Sequence, residues 1–371
     1  MRSSSRKLSL VLIFVLSLAL IQAACGREEA PPEAAPEAAP EAIRLKVSSP
    51  LPPPPFTISE AHQWWADEVT KRSGGRVEFD FHWAGVLSKG GETLDAVRSG
   101  LADLGALGVP YYPAKLALTN WSYAVPFGPG DPKVLMEASA RLAEEVPELA
   151  AEVDQYNQKL LFLAVVDTFN LISKDPIVNL GDYQGKTIAA VGAYHPKCLD
   201  GAGANAVSML ESELYTSLQT GVIDGVFLPW DISAGYNLQD IAEHACFVDM
   251  GGTVDIALTI NQDTWNGLPA DLRELMLAVG EEASKERLAE LLLQRRQEAI
   301  EAFDAAGITR AEMPFEEKVR WAEALDDMPG DWIDEMEEKG LAGKKVMVRY
   351  LEILDEMGHQ FPRQWAAAHR G

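Results

Sequence analysis

The sequence predicts an α/β fold with about two domains. A chain of 371 residues is long enough for two, since globular domains cluster near ~100–150 residues. Residues 43–81 carry strand, helix and strand signals in that order, which is typical of a βαβ unit in a largely parallel sheet. Residues 205–230 combine an amphipathic helix, a glycine turn and a β-branched strand.

The first predicted unit opens with residues 43–48, IRLKVS, in which apolar and polar residues alternate as in a strand. The prolines that follow stop this strand, and Ser59 is placed to cap a helix that carries Trp64 and Trp65. A glycine pair then ends the helix, and residues 77–81 alternate again as a second strand.

The most informative stretch is 205–230, NAVSMLESELYTSLQTGVIDGVFLPW. Its leucines recur every four residues and predict a helix from Ser208 to about Thr220, with one face on a core. Gly221 is suited to end this helix, because glycine readily adopts the left-handed conformation common at helix C-termini. Two β-branched residues then begin a short strand that leads into an aromatic loop at Trp230.

Further apolar segments extend the α/β pattern. Residues 160–166, 185–191 and 255–261 have the pattern of strands. Residues 270–306 are nearly all helical in pattern, and Gly307 closes them. One face of this long helix is apolar: Leu288, Leu292, Ala299 and Phe303.

The N-terminal residues 1–25 have the form of an export signal, with a basic start, an apolar run and small residues before Cys25. The Ala-Ala-Cys ending resembles a bacterial lipobox, although Gln22 replaces the usual leucine; the resemblance implies that Cys25 is lipidated and anchors the chain to a membrane. Ordinary cleavage and an uncleaved anchor are the alternatives, but a spanning helix needs ~20 apolar residues. Residues 26–42 are a tether rich in proline, glutamate and alanine.

The other two cysteines, Cys198 and Cys246, leave two possibilities open. They pair in the oxidising compartment that export implies, or they remain two buried thiols.

Composition and motifs exclude several functions. The formal net charge of −24 repels phosphate backbones, so a nucleic-acid partner is not expected. The sequence lacks the common motifs of serine hydrolases, zinc proteases and phosphate-binding loops, and its six histidines lack ligand-like spacing. We therefore expect no enzyme activity, no metal and no cofactor.

Residues 213–225, ELYTSLQTGVIDG, resemble the E-x-Y-T-A-L-Q-T-G-V-V-D-G signature of the solute-binding proteins of TRAP transporters, the DctP-like family. Weaker similarities lie at 73–76, SGGR, at 97–105, VRSGLADLG, and at 265–269, WNGLP. The resemblance covers about residues 43–360.

The resemblance implies a two-lobed periplasmic-binding-protein fold with hinge strands and a long C-terminal helix. Lobe I would comprise residues 43–167 and about 253–290, and lobe II residues 168–252 and about 291–371. A cleft between the lobes would close on a small-molecule ligand. The closed form would be recognised by a TRAP membrane permease of two subunits, in the periplasm or at the outer face of the cell membrane.

The residues that hold carboxylates in this family are missing from the chain. The family places an arginine in G-x-K-[IV]-R-V, where this sequence has Ala189, and an asparagine in D-G-Q-x-N-P, where it has Leu228. A third basic position falls on Phe169. Since burying a carboxylate without a partner costs several kcal/mol, we expect a larger, more apolar ligand that is neutral or held elsewhere. Phe227, Trp230 and Tyr194 would line the cleft with these three positions.

Glu211 has two interpretations. It lies where the family often has an aromatic residue against the ligand, so it could accept a bond from a ligand hydroxyl or amine. Ser208 and Glu211 are also spaced as a capping box, which is the interpretation we favour from the sequence.

Two alternative functions remain open from the sequence. One is an organic-acid binder that holds its ligand by backbone amides at a helix N-terminus. The other is a ligand-sensing lipoprotein that is not coupled to transport.

Overall fold

The computed structural model describes residues 42–370. The predicted export signal, Cys25 and residues 26–41 of the predicted tether lie outside the described residues. Among the described helices, none is long and apolar enough to cross a membrane. The strands are β1 Ile43–Ser48, β2 Val77–His82, β3 Leu104–Gly108, β4 Gln158–Val166, β5 Asn170–Ser173, β6 Thr187–Ala190, β7 Asn205–Ser208, β8 Gly225–Leu228, β9 His244–Phe247, β10 Thr253–Asn261 and β11 Thr309–Glu312. The helices are α1 Thr57–Arg72, α2 Thr93–Arg98, α3 Pro132–Glu145, α4 Glu148–Asp154, α5 His195–Gly201, α6 Glu211–Thr220, α7 Trp230–Gly235, α8 Gln262–Gly267, α9 Ala270–Glu282, α10 Leu288–Ala305, α11 Phe315–Ala324, α12 Met328–Glu338 and α13 Gly343–Glu356.

Two sheets organise these elements, which confirms the α/β fold. The first sheet has five strands in the order β2-β1-β3-β10-β4, and the second has six in the order β11-β9-β5-β8-β6-β7. We call the parts built on them the first and the second lobe. Strands β1 and β2 pair in parallel, as the predicted βαβ unit requires. Trp65 of α1 is fully buried, and its Nε1 donates to the Met276 carbonyl at 3.1 Å.

Two chain segments cross between the lobes side by side. Residues 167–169 join β4 to β5, and residues 248–252 join β9 to β10. The Phe169 amide donates to the Gly251 carbonyl at 3.2 Å, and the Met250 amide donates to the Phe169 carbonyl at 3.2 Å. This ribbon forms the pair of hinge strands, and helices α8 to α10 make a third connection between the sheets, from β10 to β11.

The long C-terminal helix is confirmed and runs from α9 through a five-residue π-helical segment, Ala283–Arg287, into α10. Its predicted apolar face is buried, and Gly307 after it has a φ of 80°. α10 packs on α7 of the second lobe and on α1 and α3 of the first, so it contacts both lobes.

The last helices, which the sequence analysis gave to lobe II as about residues 291–371, also contact the first lobe. α13 packs on α3, and Trp365 Nε1 donates to the Pro126 carbonyl at 3.1 Å. The C-terminal segment therefore covers elements of the first lobe as well.

Two predicted helix caps are wrong. α1 begins at Thr57, and Ser59 Oγ donates to the Pro52 carbonyl at 2.6 Å instead of capping the helix. Ser208 ends strand β7, which pairs in parallel with β6, so α6 begins at Glu211 without a side-chain cap. The capping box of Ser208 and Glu211 is therefore not formed, because a long-range strand pairing takes the serine.

The prediction that Gly221 ends helix α6 is confirmed. Gly221 adopts the left-handed conformation, with a φ of 74°. Trp230, in contrast, begins helix α7 and does not lie in an aromatic loop.

The two cysteines of the described body are unpaired and buried. Cys198 Sγ lies 3.6 Å from Met328 Sδ, and burial raises the pKa of each thiol to about 12. Since the thiolate is the reactive form, we expect Cys198 and Cys246 to resist iodoacetamide at pH 8 in the folded protein and to react within minutes in 8 M urea. Peptide mass spectrometry measures both, and rapid native labelling of either thiol would contradict their burial.

Candidate functional site

The two lobes contact each other through side chains of the segments that connect their strands. Phe56 packs edge-on against Tyr236 at 5.8 Å between ring centroids, and Thr57 Oγ1 donates to Asp231 Oδ2 at 2.7 Å. A further close contact lies at Gly192, whose φ is 78° and where an added Cβ would lie 2.9 Å from Pro110 Cβ. Only glycine fits this contact without displacing one lobe.

Five polar side chains meet at this junction, and we call them the tyrosine–acid cluster: Tyr111, Tyr123, Tyr236, Glu211 and Asp255. The Tyr111 hydroxyl donates to Glu211 Oε2 across the two lobes. The Tyr123 hydroxyl donates to Asp255 Oδ1 at the start of β10. The contact partners are 100 and 132 residues apart in sequence, so the fold alone assembles the cluster.

The two carboxyl groups of the cluster hold protons more tightly than usual. Burial raises the pKa of Asp255 to about 7, and the negative charge of Glu211 adds to this rise, while the bond from Tyr123 opposes it. Burial likewise raises the pKa of Glu211, against the bond from Tyr111. Among the described residues, no lysine or arginine contributes to either change in pKa. The cluster is thus acidic and has no counter-charge of its own.

An aromatic wall adjoins the cluster. The imidazole of His195, at the first turn of α5, lies 4.0 Å from the Phe169 ring and 5.1 Å from the Tyr123 ring, measured between centroids. Phe227 completes the wall, 5.7 Å from His195. His195 is only 3% exposed, and its Nδ1 has no hydrogen-bond partner among the described residues. Burial lowers the pKa of His195 to about 3, so the ring is neutral.

The structure brings three of the predicted ligand-binding residues to this region. Phe169 lies in the first hinge strand and Phe227 in β8, with their rings 6.0 Å apart. Glu211 lies in the tyrosine–acid cluster.

The other four predicted residues are not among those that form the cluster or the wall. Ala189 is fully buried in β6, opposite Val207 and Val226 of its neighbours, and Leu228 lies opposite Asn170. Trp230 packs on Phe247 at 4.6 Å and Phe303 at 5.6 Å.

Tyr194 faces a different cavity of about 380 Å³, which it lines with Lys197, Trp332 and Glu335. The cluster and the wall therefore do not include Trp230 and Tyr194.

The sequence reasoning missed Tyr111, Tyr123, Tyr236, Asp255 and His195. Asp255 carried a usable signal, because it is the one charged residue in the strand TVDIALTIN. A buried strand that keeps an acid is more often functional than structural.

Two lobes, two hinge strands and a buried polar cluster at their junction define a two-lobed ligand-binding protein. The model for bacterial extracellular solute-binding proteins of family 7, DctP, matches residues 51–333, and the chain belongs to this family.

A curated relative is the C4-dicarboxylate-binding periplasmic protein DctP of Rhodobacter capsulatus, which is 32% identical over 150 residues. That match covers 40% of this chain and 44% of the relative, so the chain is matched to less than half of that protein's length.

The solved structures extend the similarity of fold over most of the chain. A TRAP solute-binding protein from Rhodoferax ferrireducens, solved with copurified benzoate, has a TM-score of 0.77 at 21% identity and covers 85% of this chain and 99% of its own. A marine metagenome TRAP solute-binding protein with bound 3-hydroxybenzoate gives 0.76 at 21% identity, covering 85% of this chain and 98% of its own. At these identities the comparison establishes the fold.

Proposed function

We propose that the chain is the extracytoplasmic receptor of a TRAP-type importer and captures one small organic molecule between its lobes. The observation that carries the proposal is the tyrosine–acid cluster, whose Tyr111 and Glu211 come from opposite lobes and meet. A ligand placed there touches both lobes, so its binding energy favours the closed form. The family membership supports a location outside the cytoplasm.

Two partners complete the proposed function. The membrane permease of the importer would recognise the closed form, and a lipid on Cys25 would hold the receptor at the membrane. The solved relatives that are named as TRAP proteins support the first of these partners.

The ligand would differ from those of the acid-binding relatives. Phe169, Ala189 and Leu228 stand where the family resemblance places carboxylate-binding side chains, and all three are buried and apolar. A buried carboxylate without a cationic partner is strongly disfavoured. The receptor therefore uses another grip, and the aromatic wall of Phe169 and Phe227 provides apolar surface for it.

The experiment that tests the proposed function combines a ligand screen with two glycine variants. In a thermal-shift screen of small carboxylates, alcohols and amines, a ligand at 100 times its Kd adds about 2.7 kcal/mol of stability and raises the Tm by several degrees. Gly192→Ala should weaken binding of that ligand at least about tenfold, because its new methyl group holds the lobes apart at Pro110.

Gly221→Ala is the matched control for the glycine variant. Gly221 has nearly the same φ, 74°, and nothing within 4 Å of an added Cβ, so this variant has the same backbone strain without the lobe contact. Equal affinities of the two variants, or no stabilising compound in any class, would contradict the proposed function.

A further inference from the structure

The acidic side chains at the lobe junction favour a ligand of positive charge. Glu211 and Asp255 are two carboxyl groups in a partly buried site, and the charge of Glu211 raises the proton affinity of Asp255. Among the described residues, no basic side chain balances them. At a pH at which both groups are ionised, a partner of opposite charge would stabilise them. The missing positive charge is therefore expected from the ligand.

The hydrogen-bonding pattern points to a ligand that donates. Each carboxylate has one oxygen engaged by a tyrosine, Oε2 of Glu211 by Tyr111 and Oδ1 of Asp255 by Tyr123. Among the described residues, none donates to Asp255 Oδ2, so this oxygen is left to accept from a ligand, while the Glu211 carboxylate also bonds to its own backbone amide. His195 adds a second, independent observation, since its neutral, buried imidazole has an Nδ1 without a partner among the described residues, beside the Tyr123 ring.

The aromatic rings around the cluster suit the same ligand. Tyr123 and Phe169 stand edge to face at 6.2 Å between ring centroids, and Phe56 and Tyr236, also at the junction of the lobes, stand edge to face at 5.8 Å. Ring faces attract cations, and cages of aromatic side chains are a common way to bind ammonium groups. A carboxylate ligand would instead place a further negative charge beside two acidic side chains.

We propose that the site between the lobes binds a protonated organic amine, with its ammonium group between Glu211 and Asp255 and its carbon skeleton on the aromatic wall. This inference rests on the proposed function and names the ligand class of the same site. It assigns Glu211 and Asp255 as the residues that select a cation over an anion.

Three probes of one shape and different charge test the selection: benzylammonium, benzyl alcohol and benzoate. Isothermal titration of the full chain at pH 8 should give the tightest binding for benzylammonium, by at least about tenfold over the alcohol, and the weakest for benzoate. Equal affinity for the three, or a preference for benzoate, overturns the inference. Benzoate binding would keep the proposed function and refute only the amine. Failure of every compound in the wider screen would refute both.

Two variants and a control locate the effect. Glu211→Gln and Asp255→Asn should each weaken benzylammonium binding about 10- to 100-fold, since each removes a charged hydrogen-bond acceptor while keeping its shape. Glu213→Gln, on the exposed face of the same helix, should bind as the unaltered chain does. Unchanged binding in both cluster variants overturns the assignment.

The pH dependence of benzylammonium binding distinguishes a direct role of Asp255 in binding from a structural role. Asp255 faces Tyr123 and Glu211, with Tyr111 and Tyr236 nearby, and burial raises its pKa to about 7, while the pKa of Glu211 is also raised. Benzylammonium binding should therefore strengthen between pH 6 and pH 8, over which the amine itself stays protonated, and Asp255→Asn should abolish this dependence. A flat profile in the unaltered chain overturns the role of Asp255.

Discussion

Replacing Arg296 by glutamine is expected to lower the free energy of unfolding by about 3 kcal/mol. Arg296 lies on α10, and its Nε donates to Asp167 Oδ2 at 2.7 Å at the start of the first hinge strand. Its Nη2 donates to Asp167 Oδ1 and, at 2.6 Å, to the Gly130 carbonyl. The Asp167 side chain is fully buried, and removal of one partner from a buried ion pair leaves the other charge uncompensated, at a cost of about 3–5 kcal/mol.

Burial already raises the pKa of Asp167 with the arginine in place. Loss of the guanidinium would raise it further, so part of the cost is relieved by protonation at low pH. Because the group's folded pKa lies above its unfolded value, its contribution to stability falls as the pH rises through the folded pKa. The deficit of Arg296→Gln should accordingly be larger at pH 8 than at pH 5.

Urea denaturation measures this effect against a surface control. Arg310 also bonds its partner, Asp304, with two nitrogens, but both side chains are substantially exposed, so Arg310→Gln should cost less than about 1 kcal/mol. The double variant Asp167→Asn with Arg296→Gln should recover most of the loss. A cost for Arg296→Gln no larger than that of Arg310→Gln would contradict the role assigned to this pair.

Asp255→Asn is expected to stabilise the ligand-free protein at pH 8 by about 1–3 kcal/mol. Burial chiefly raises the pKa of Asp255 from 3.8 to about 7, and every tenfold change in proton affinity corresponds to about 1.4 kcal/mol. Asparagine keeps an acceptor for the Tyr123 hydroxyl without the charge. The gain is smaller than the raised pKa alone implies, because the amide group needs partners of its own.

The pH dependence gives the sign of this prediction. Asp255 is protonated in the folded state and ionised in the unfolded state between about pH 4 and pH 7, so its contribution to stability is complete below pH 4 and declines as the pH rises to 7. The variant should therefore match the unaltered chain near pH 4 and exceed it at pH 8. Thermal denaturation of both proteins over this range, with Glu213→Gln as the control, tests it. A variant less stable than the unaltered chain at pH 8 would contradict the account.

Asp255→Asn is thus expected to stabilise the ligand-free protein and to weaken ligand binding. A residue kept at a cost to the stability of the free protein, and needed for binding, is typical of a functional site. If Asp255 had only a structural role, its replacement would lower the stability of the protein.

The sequence predicted the elements that depend on local patterns. The alternating strand β1, the long helix and the left-handed Gly221 were all confirmed, because periodicity and glycine conformation act over a few neighbouring residues. The caps at Ser59 and Ser208 failed for the opposite reason. Both serines have the right spacing for a cap, but contacts elsewhere in the fold use them: the Pro52 carbonyl for one and the β6–β7 pairing for the other.

The candidate site was only partly predictable. Glu211 was named, but its partner Tyr111 lies 100 residues away in the other lobe, so the sequence favoured a local cap. Tyr123 and Asp255 are also joined only by the fold. The resemblance to the family pointed to three positions on the second sheet and its hinge: Phe169, Ala189 and Leu228. At these positions it showed that the carboxylate-binding side chains of the family are missing. It could not indicate Glu211 and Asp255, which we propose as the residues that bind the ligand instead.

Native mass spectrometry of the protein purified from the cell without refolding tests the central claim most directly. We expect one small molecule bound per chain, released on denaturation and identified as an organic amine without a carboxylate, and absent from Glu211→Gln but present in Glu213→Gln. A released carboxylic acid would contradict the amine and leave a solute receptor with a different grip. A chain that carries no small molecule and acquires none from the ligand screen would contradict the receptor itself.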